Sequence, residues 1–98
     1  VSQNFISSEA LADLDEIFDY FATRSVEAGE KFVSEFKKKC QYLTQFPHLG
    51  RSYATLKPNL RGIPLIGYII LYQIVEGGVE IVRVVSAYRD LESLFLDE

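Results

Sequence analysis

Two runs of β-branched and aromatic residues, Tyr68 to Val75 and Val79 to Val85, flank Gly77-Gly78, and nothing else in the chain limits its fold as much. Paired glycines supply the positive φ angles of a tight hairpin turn, and runs of this composition favour extended backbone. With Gly77 and Gly78 as the turn, Tyr72 falls opposite Arg83, Ile70 opposite Val85 and Ile74 opposite Ile81, and Tyr68 and Ala87 close the same face. The other face carries Ile69, Leu71, Val75, Val82 and Val84, so both sides of the hairpin are largely apolar and each needs a cover.

One cover is evident upstream. Ser7 and Ser8 are good N-caps with Glu9 in the dipole-favoured first turn, and the stripe Leu11, Leu14, Ile17, Phe18 and Phe21 follows at helical spacing, with Asp13, Glu16 and Asp19 turned to solvent. Ser25 caps a second helix whose stripe is Phe32, Phe36, Cys40, Leu43 and Phe46, ending where Pro47 removes a backbone donor. The two form a helical hairpin. Pro47, Gly50, Pro58 and Asn59 then mark a loop with Arg51 and Lys57 in it, and a short strand runs from Leu60 to Ile66. With Gln3 to Ile6 as an edge strand and a short helix from about Arg89 to Phe95, the order is β-αα-βββ-α. This is an α+β fold with a small antiparallel sheet packed on an N-terminal helical hairpin. So little chain remains for the second face of the sheet that a partly exposed apolar face, and hence a partner site, is expected there.

Ninety-eight residues suit a single domain spanning 1–98. The formal charge of -4 and the pI near 5.0 repel nucleic acid and anionic lipid overall, so direct sequence-specific nucleic-acid binding and a membrane partner are not expected. A single cysteine, Cys40, excludes an internal disulfide and a thiolate zinc cluster, and neither a metal nor another cofactor is expected. The first residues show no basic or apolar signal region, and the apolar stretch from Ile63 to Val75 is too short to span a bilayer as a helix. The expected setting is the cytoplasm.

Four motifs then stand in order: Ala12-Asp13-Leu14-Asp15-Glu16-Ile17-Phe18-Asp19-Tyr20, Phe46-Pro47-His48-Leu49-Gly50-Arg51, Tyr68-Ile69-Ile70-Leu71-Tyr72, and Val79-Glu80-Ile81-Val82-Arg83-Val84 leading to Arg89-Asp90-Leu91. Together they cover nearly the whole chain and resemble the ParE branch of the RelE/ParE toxin superfamily of bacterial type II toxin-antitoxin systems. The resemblance implies a toxin that arrests growth and is neutralised by a cognate antitoxin. ParE-like members inhibit DNA gyrase, whereas RelE-like members cleave messenger RNA on the ribosome. It further implies an antitoxin segment wrapping the helical hairpin and sheet by strand addition and an amphipathic helix.

The residues separate the two activities. Cleavage through a ribose 2′-hydroxyl needs an acid, a base and cations on the phosphate. RelE places two lysines on the strand before the hairpin, an arginine just after the tyrosine that opens the next strand, and a tyrosine near the C-terminus. Those positions here are Leu60 and Gly62, Ile69, and Phe95, none of which can do that chemistry. Arg89 matches an arginine of the nuclease pattern, while Ser86-Ala87-Tyr88 stands where ParE-like chains commonly carry His. The resemblance therefore implies a gyrase inhibitor without a catalytic residue, with a ribosome-dependent RNase or a non-toxic antitoxin-binding module as the alternatives.

Between Pro47 and Asp90, five basic residues (Arg51, Lys57, Arg61, Arg83, Arg89) face three acidic ones (Glu76, Glu80, Asp90), a local excess on an acidic chain. Arg83 alternates with apolar residues in a strand and must reach a carboxylate, carbonyls or an open surface, and the open surface is expected. Tyr72 beside it could stack on its guanidinium. The expected partner surface is Arg51, Arg61, Tyr68, Ile70, Tyr72, Arg83 and Arg89. His48 has no second ligand at a useful spacing, Cys40 reads as inert packing, and Lys37, Lys38 and Lys39 fan around a solvated helix.

Overall fold

The computed structural model describes residues 3–96. In chain order they form β1 (Gln3–Ile6), α1 (Ser8–Ala22), α2 (Val26–Gln45), β2 (Arg51–Ser52), β3 (Arg61–Leu65), β4 (Tyr68–Val75), β5 (Gly78–Ser86) and a short 3₁₀ helix, Glu92–Phe95. The sheet order is β1-β5-β4-β3-β2. The expected α+β arrangement is present, with the sheet mixed rather than antiparallel. β1 runs parallel to β5 because the helical hairpin and the β2–β4 strands intervene as a crossover, while every other neighbour is antiparallel.

Both helices start as their sequences dictate. Ser7 Oγ accepts from the Ala10 N–H at 3.0 Å and donates to the Val82 carbonyl at 2.8 Å, so the cap that starts α1 also clips it to β5. Ser25 Oγ accepts from the Ala28 N–H at 3.2 Å, and α2 stops at Gln45, two residues before Pro47. Leu14 and Ile17 of α1, with Phe32, Phe36, Cys40 and Leu43 of α2, pack on Ile63, Leu65, Ile70, Tyr72, Val79, Ile81 and Val84 of the sheet. Leu11, Phe18 and Phe46, expected in this core, are exposed instead. Leu11 and Phe18 sit just outside the arc that meets the sheet, since a stripe read at 3.6 residues per turn is wider than the contact it serves, and Phe46 lies past the end of α2 as its non-helical cap.

The hairpin register differs from expectation in two ways. Val75 pairs with Gly78, so Glu76 and Gly77 are the turn residues, and Gly77 takes φ 85°. Gly78 is needed for a different reason: β1 lies so close that any Cβ there would overlap the Gln3 carbonyl. A register shift between Leu71 and Tyr72 then leaves Val82 as an extra residue in β5. Tyr72 consequently pairs with Ile81, Ile74 with Val79, Ile70 with Val84, and Arg83 with Leu71 rather than Tyr72. The bulge exchanges the faces of the end of β5, placing Val84 under the helices and Val85 on the other side.

That other side is not open. Leu60, Leu71 and Val85 are buried there beneath Tyr53, Leu56, Ile69, Val82, Leu91, Leu94 and Phe95, so the loop before β3 and the C-terminal 3₁₀ helix provide the second cover. The expected exposed sheet face is therefore absent, because two short irregular segments do what a third long helix would have done.

Candidate functional site

Three surfaces carry what function this fold can express, and the seven residues expected to share one partner surface are dispersed among them or buried. Ile70 and Tyr72 are 0% exposed, which corrects their assignment to an accessible face. The Tyr72 hydroxyl donates to the Pro47 carbonyl at 2.7 Å and accepts from the Gly50 N–H at 2.8 Å, tying the loop after α2 to the sheet. Burial pushes its phenol above the usual range. Tyr68 is half-buried, edge-on to Phe32 with ring centroids 5.3 Å apart, and burial likewise raises its phenol.

The four arginines divide into two pairs. Arg51 and Arg61 occupy the far sheet edge, where Arg61 Nη1 donates to the carbonyls of Gly50 (2.8 Å) and His48 (3.4 Å) and Arg51 lies over the Tyr53 ring, 5.0 Å from its centroid. Arg83 and Arg89 lie near α1, with Arg89 exposed in a shallow depression of about 250 Å³ shared with Asp13, Glu16, Tyr20, Tyr68 and Ser86. Arg83 does not face open solvent. Its Nε and Nη2 donate to Asp13 at 2.7 and 2.9 Å, and the Val84 N–H donates to the same carboxylate at 2.9 Å. This bond to Asp13 holds the guanidinium pKa above its usual value, against the opposing effect of burial. Asp13, expected in solvent, instead joins α1 to β5 where β1 no longer covers the strand. The arginine in a β-run required a carboxylate, carbonyls or an open surface; the structure supplies the carboxylate, whose position could not be read from spacing.

The four positions that the resemblance sets against the nuclease pattern do come together, but as packing. Leu60 is buried, Ile69 and Phe95 pack against the same cluster, and the Tyr53 ring lies over Gly62, 2.7 Å from where a Cβ would stand. This is a mainly apolar cluster, with Lys57 Nζ at its rim, 5.9 Å from the Phe95 ring centroid.

The third surface was not legible beforehand. Phe18, Phe21 and Ala22 of α1 and Val26, Gly29, Glu30, Val33, Ser34 and Lys37 of α2 line an open, mainly apolar groove of about 550 Å³ on the outer side of the helical hairpin. Exposed Phe18 and Val26 were its available sequence signals. Among the described residues no group of three His, Cys, Asp or Glu side chains could hold a metal ion, and no helix is long and apolar enough to cross a membrane.

A helical hairpin on a five-stranded sheet is a fold that the comparisons with known proteins also find. Residues 5–91 match the family described as ParE toxin of type II toxin-antitoxin system, parDE, and the chain belongs to that family. Toxin RelE2 of Caulobacter vibrioides is 34% identical over 80 residues, 82% of this chain and 89% of that protein. Among solved structures, one titled as the chromosomal ParDE toxin-antitoxin system from P. aeruginosa superposes with a TM-score of 0.72, covering 87% of this chain and 95% of the other, at 20% identity. That likeness concerns the fold. The chain is thus the toxin component of a type II toxin-antitoxin system within the ParE/RelE superfamily, and membership implies an antitoxin partner.

Proposed function

We propose that this toxin acts in the cytoplasm as a non-catalytic inhibitor of DNA gyrase, and that its antitoxin silences it by seating an amphipathic helix in the α1–α2 groove. The observation that carries the first half is the mainly apolar cluster. Leu60, Gly62, Ile69 and Phe95 stand together where the nuclease reading needs cations and an acid, and Arg83 is already committed to Asp13. Phosphodiester cleavage without an acid, a base or a cation at those four positions forfeits much of the catalytic contribution that the nuclease pattern draws from them. The second half rests on the groove, an exposed apolar trough of a size that suits the apolar side of one helix.

The test is to express the chain under an inducible promoter, then follow plasmid topology and map transcript 5′ ends in arrested cells, alongside gyrase supercoiling and cleavage with the purified toxin. Altered supercoiling with intact messages is the expected result. In-frame message cleavage with normal topology would replace this reading by the ribosome-dependent RNase, a reading also raised by the RelE name of the Caulobacter relative. Absence of arrest would leave a module that binds antitoxin and poisons nothing.

A further inference from the structure

The α1–α2 groove has an electrical direction as well as an apolar floor. Of its nine lining residues only Glu30 and Lys37 are charged. Seven residues apart on one helix, they share a side of α2 and stand about 10 Å apart along its axis. Both are exposed, and among the described residues neither takes part in an ion pair, although Lys38 and Glu35 close by do so at 3.8 Å. The end of α1 and the start of α2 meet at the Ala22–Val26 end of the groove, so their opposed macrodipoles largely cancel there and leave the two side chains to set the polarity. The trough between them is shaped by Gly29: a Cβ at that position would stand 3.1 Å from Phe21 Cβ, so its absence brings α1 close against α2.

Resting on the reading of this groove as the seat of an antitoxin helix, we propose that Glu30 and Lys37 fix the direction in which that helix lies. The occupant carries a cation beside Glu30 and an anion beside Lys37, about two helical turns apart, on the flank of an apolar face that fills the space between Phe18, Val26 and Val33. A helix packed nearly parallel or antiparallel to α2 keeps both pairs in reach, and the wrong direction sets like charges against each other. Direction then decides from which end of the groove the rest of the antitoxin continues. Exposed pairs of this kind each change an equilibrium by about two- to fivefold, so the two together favour one direction by about four- to twenty-five-fold at low salt.

The test uses the whole chain, labelled with nitrogen-15, and a synthetic amphipathic helix of about eighteen residues with a Leu/Ala face. Its flank carries one Arg near the N-terminus and one Glu seven positions later, and a spin label sits on the N-terminus. In the unaltered protein the label broadens amides at the Ala22–Val26 end, and in the E30K/K37E double variant it broadens those around Lys37 instead. Equal broadening at both ends, or a pattern that the double substitution leaves unchanged, overturns the directional inference while the groove reading stands. Failure of the peptide to bind at all, or binding that V33D leaves intact, removes the groove reading and this inference with it.

Discussion

The two faces of the sheet are built from different materials. Under the helices, Tyr72, Phe32, Leu43, Ile70 and Ile81 are nearly or completely closed to solvent, and the cover is two long capped helices. On the opposite face, among the described residues, Leu60, Leu71 and Val85 form the buried cluster, and the cover is a loop and a short 3₁₀ helix without a side-chain cap. The first face makes the fold. The second gathers Leu60, Ile69 and Phe95, which the resemblance sets against the nuclease pattern, into one apolar cluster. That second face is closed by packing, while the open apolar groove lies outside the sheet altogether, on the helical hairpin.

The sharpest way to break this contrast is to delete one phenylalanine ring on each side. Phe32 contacts Phe18, Phe21, Phe36 and Tyr68, and Phe32→Ala should lower unfolding stability by about 3–5 kcal/mol in urea denaturation. The equivalent truncation on the other face, Phe95→Ala, removes a half-buried ring and should cost about 1 kcal/mol, with faster amide exchange confined to the C-terminal segment and the loop before β3. Equal losses from the two substitutions would show that the faces contribute alike.

Between these extremes lies the joint that closes the first face. Asp13 accepts three hydrogen bonds with its side chain only 11% exposed, so Asp13→Ala should cost about 2–3 kcal/mol by stranding the Arg83 guanidinium and the Val84 N–H. Adding Arg83→Met should recover part of that loss, and a double-mutant cycle with no coupling would reduce the pair to a surface contact. Tyr72→Phe leaves the Pro47 carbonyl and the Gly50 N–H without their partner and should cost about 1–2 kcal/mol, read by the same denaturation.

What could be read from the sequence follows the range of the interaction that fixes each feature. The helix caps at Ser7 and Ser25 and the hairpin near Gly77 depend on residues within a few positions of one another, and they were legible. The strand register was not, since the Val82 bulge accompanies a bond that the Val84 N–H donates to Asp13, 71 positions earlier. The cover on the second face escaped because the chain between β2 and β3 has no periodicity to announce that Tyr53 and Leu56 turn inward. The groove escaped for the opposite reason: Phe18 fits a core stripe, and periodicity alone cannot tell the side of a helix that meets its own sheet from the side that meets a partner.

Cys40 gives the finest comparison, because it lies at the same helix–sheet contact as Phe36 and Leu43 yet can report on its surroundings by titration. Burial pushes its thiol from the ordinary 9.0 up to about 11. Below pH 9 the thiol is protonated in both the folded and the unfolded chain, and its contribution to stability is constant. Between pH 9 and about 11 the unfolded chain releases a proton that the folded chain retains, so stability falls with rising pH, by at most about 1.4 kcal/mol per pH unit. Cys40→Ala should remove that slope, and modification of the native thiol at pH 8 should be slow and governed by opening of the helical hairpin from the sheet. Rapid alkylation of the folded protein at pH 8 would mean that α2 lifts from the sheet far more readily than its packing on Ile70 and Tyr72 implies, and the helix-covered face would no longer be the firmer of the two.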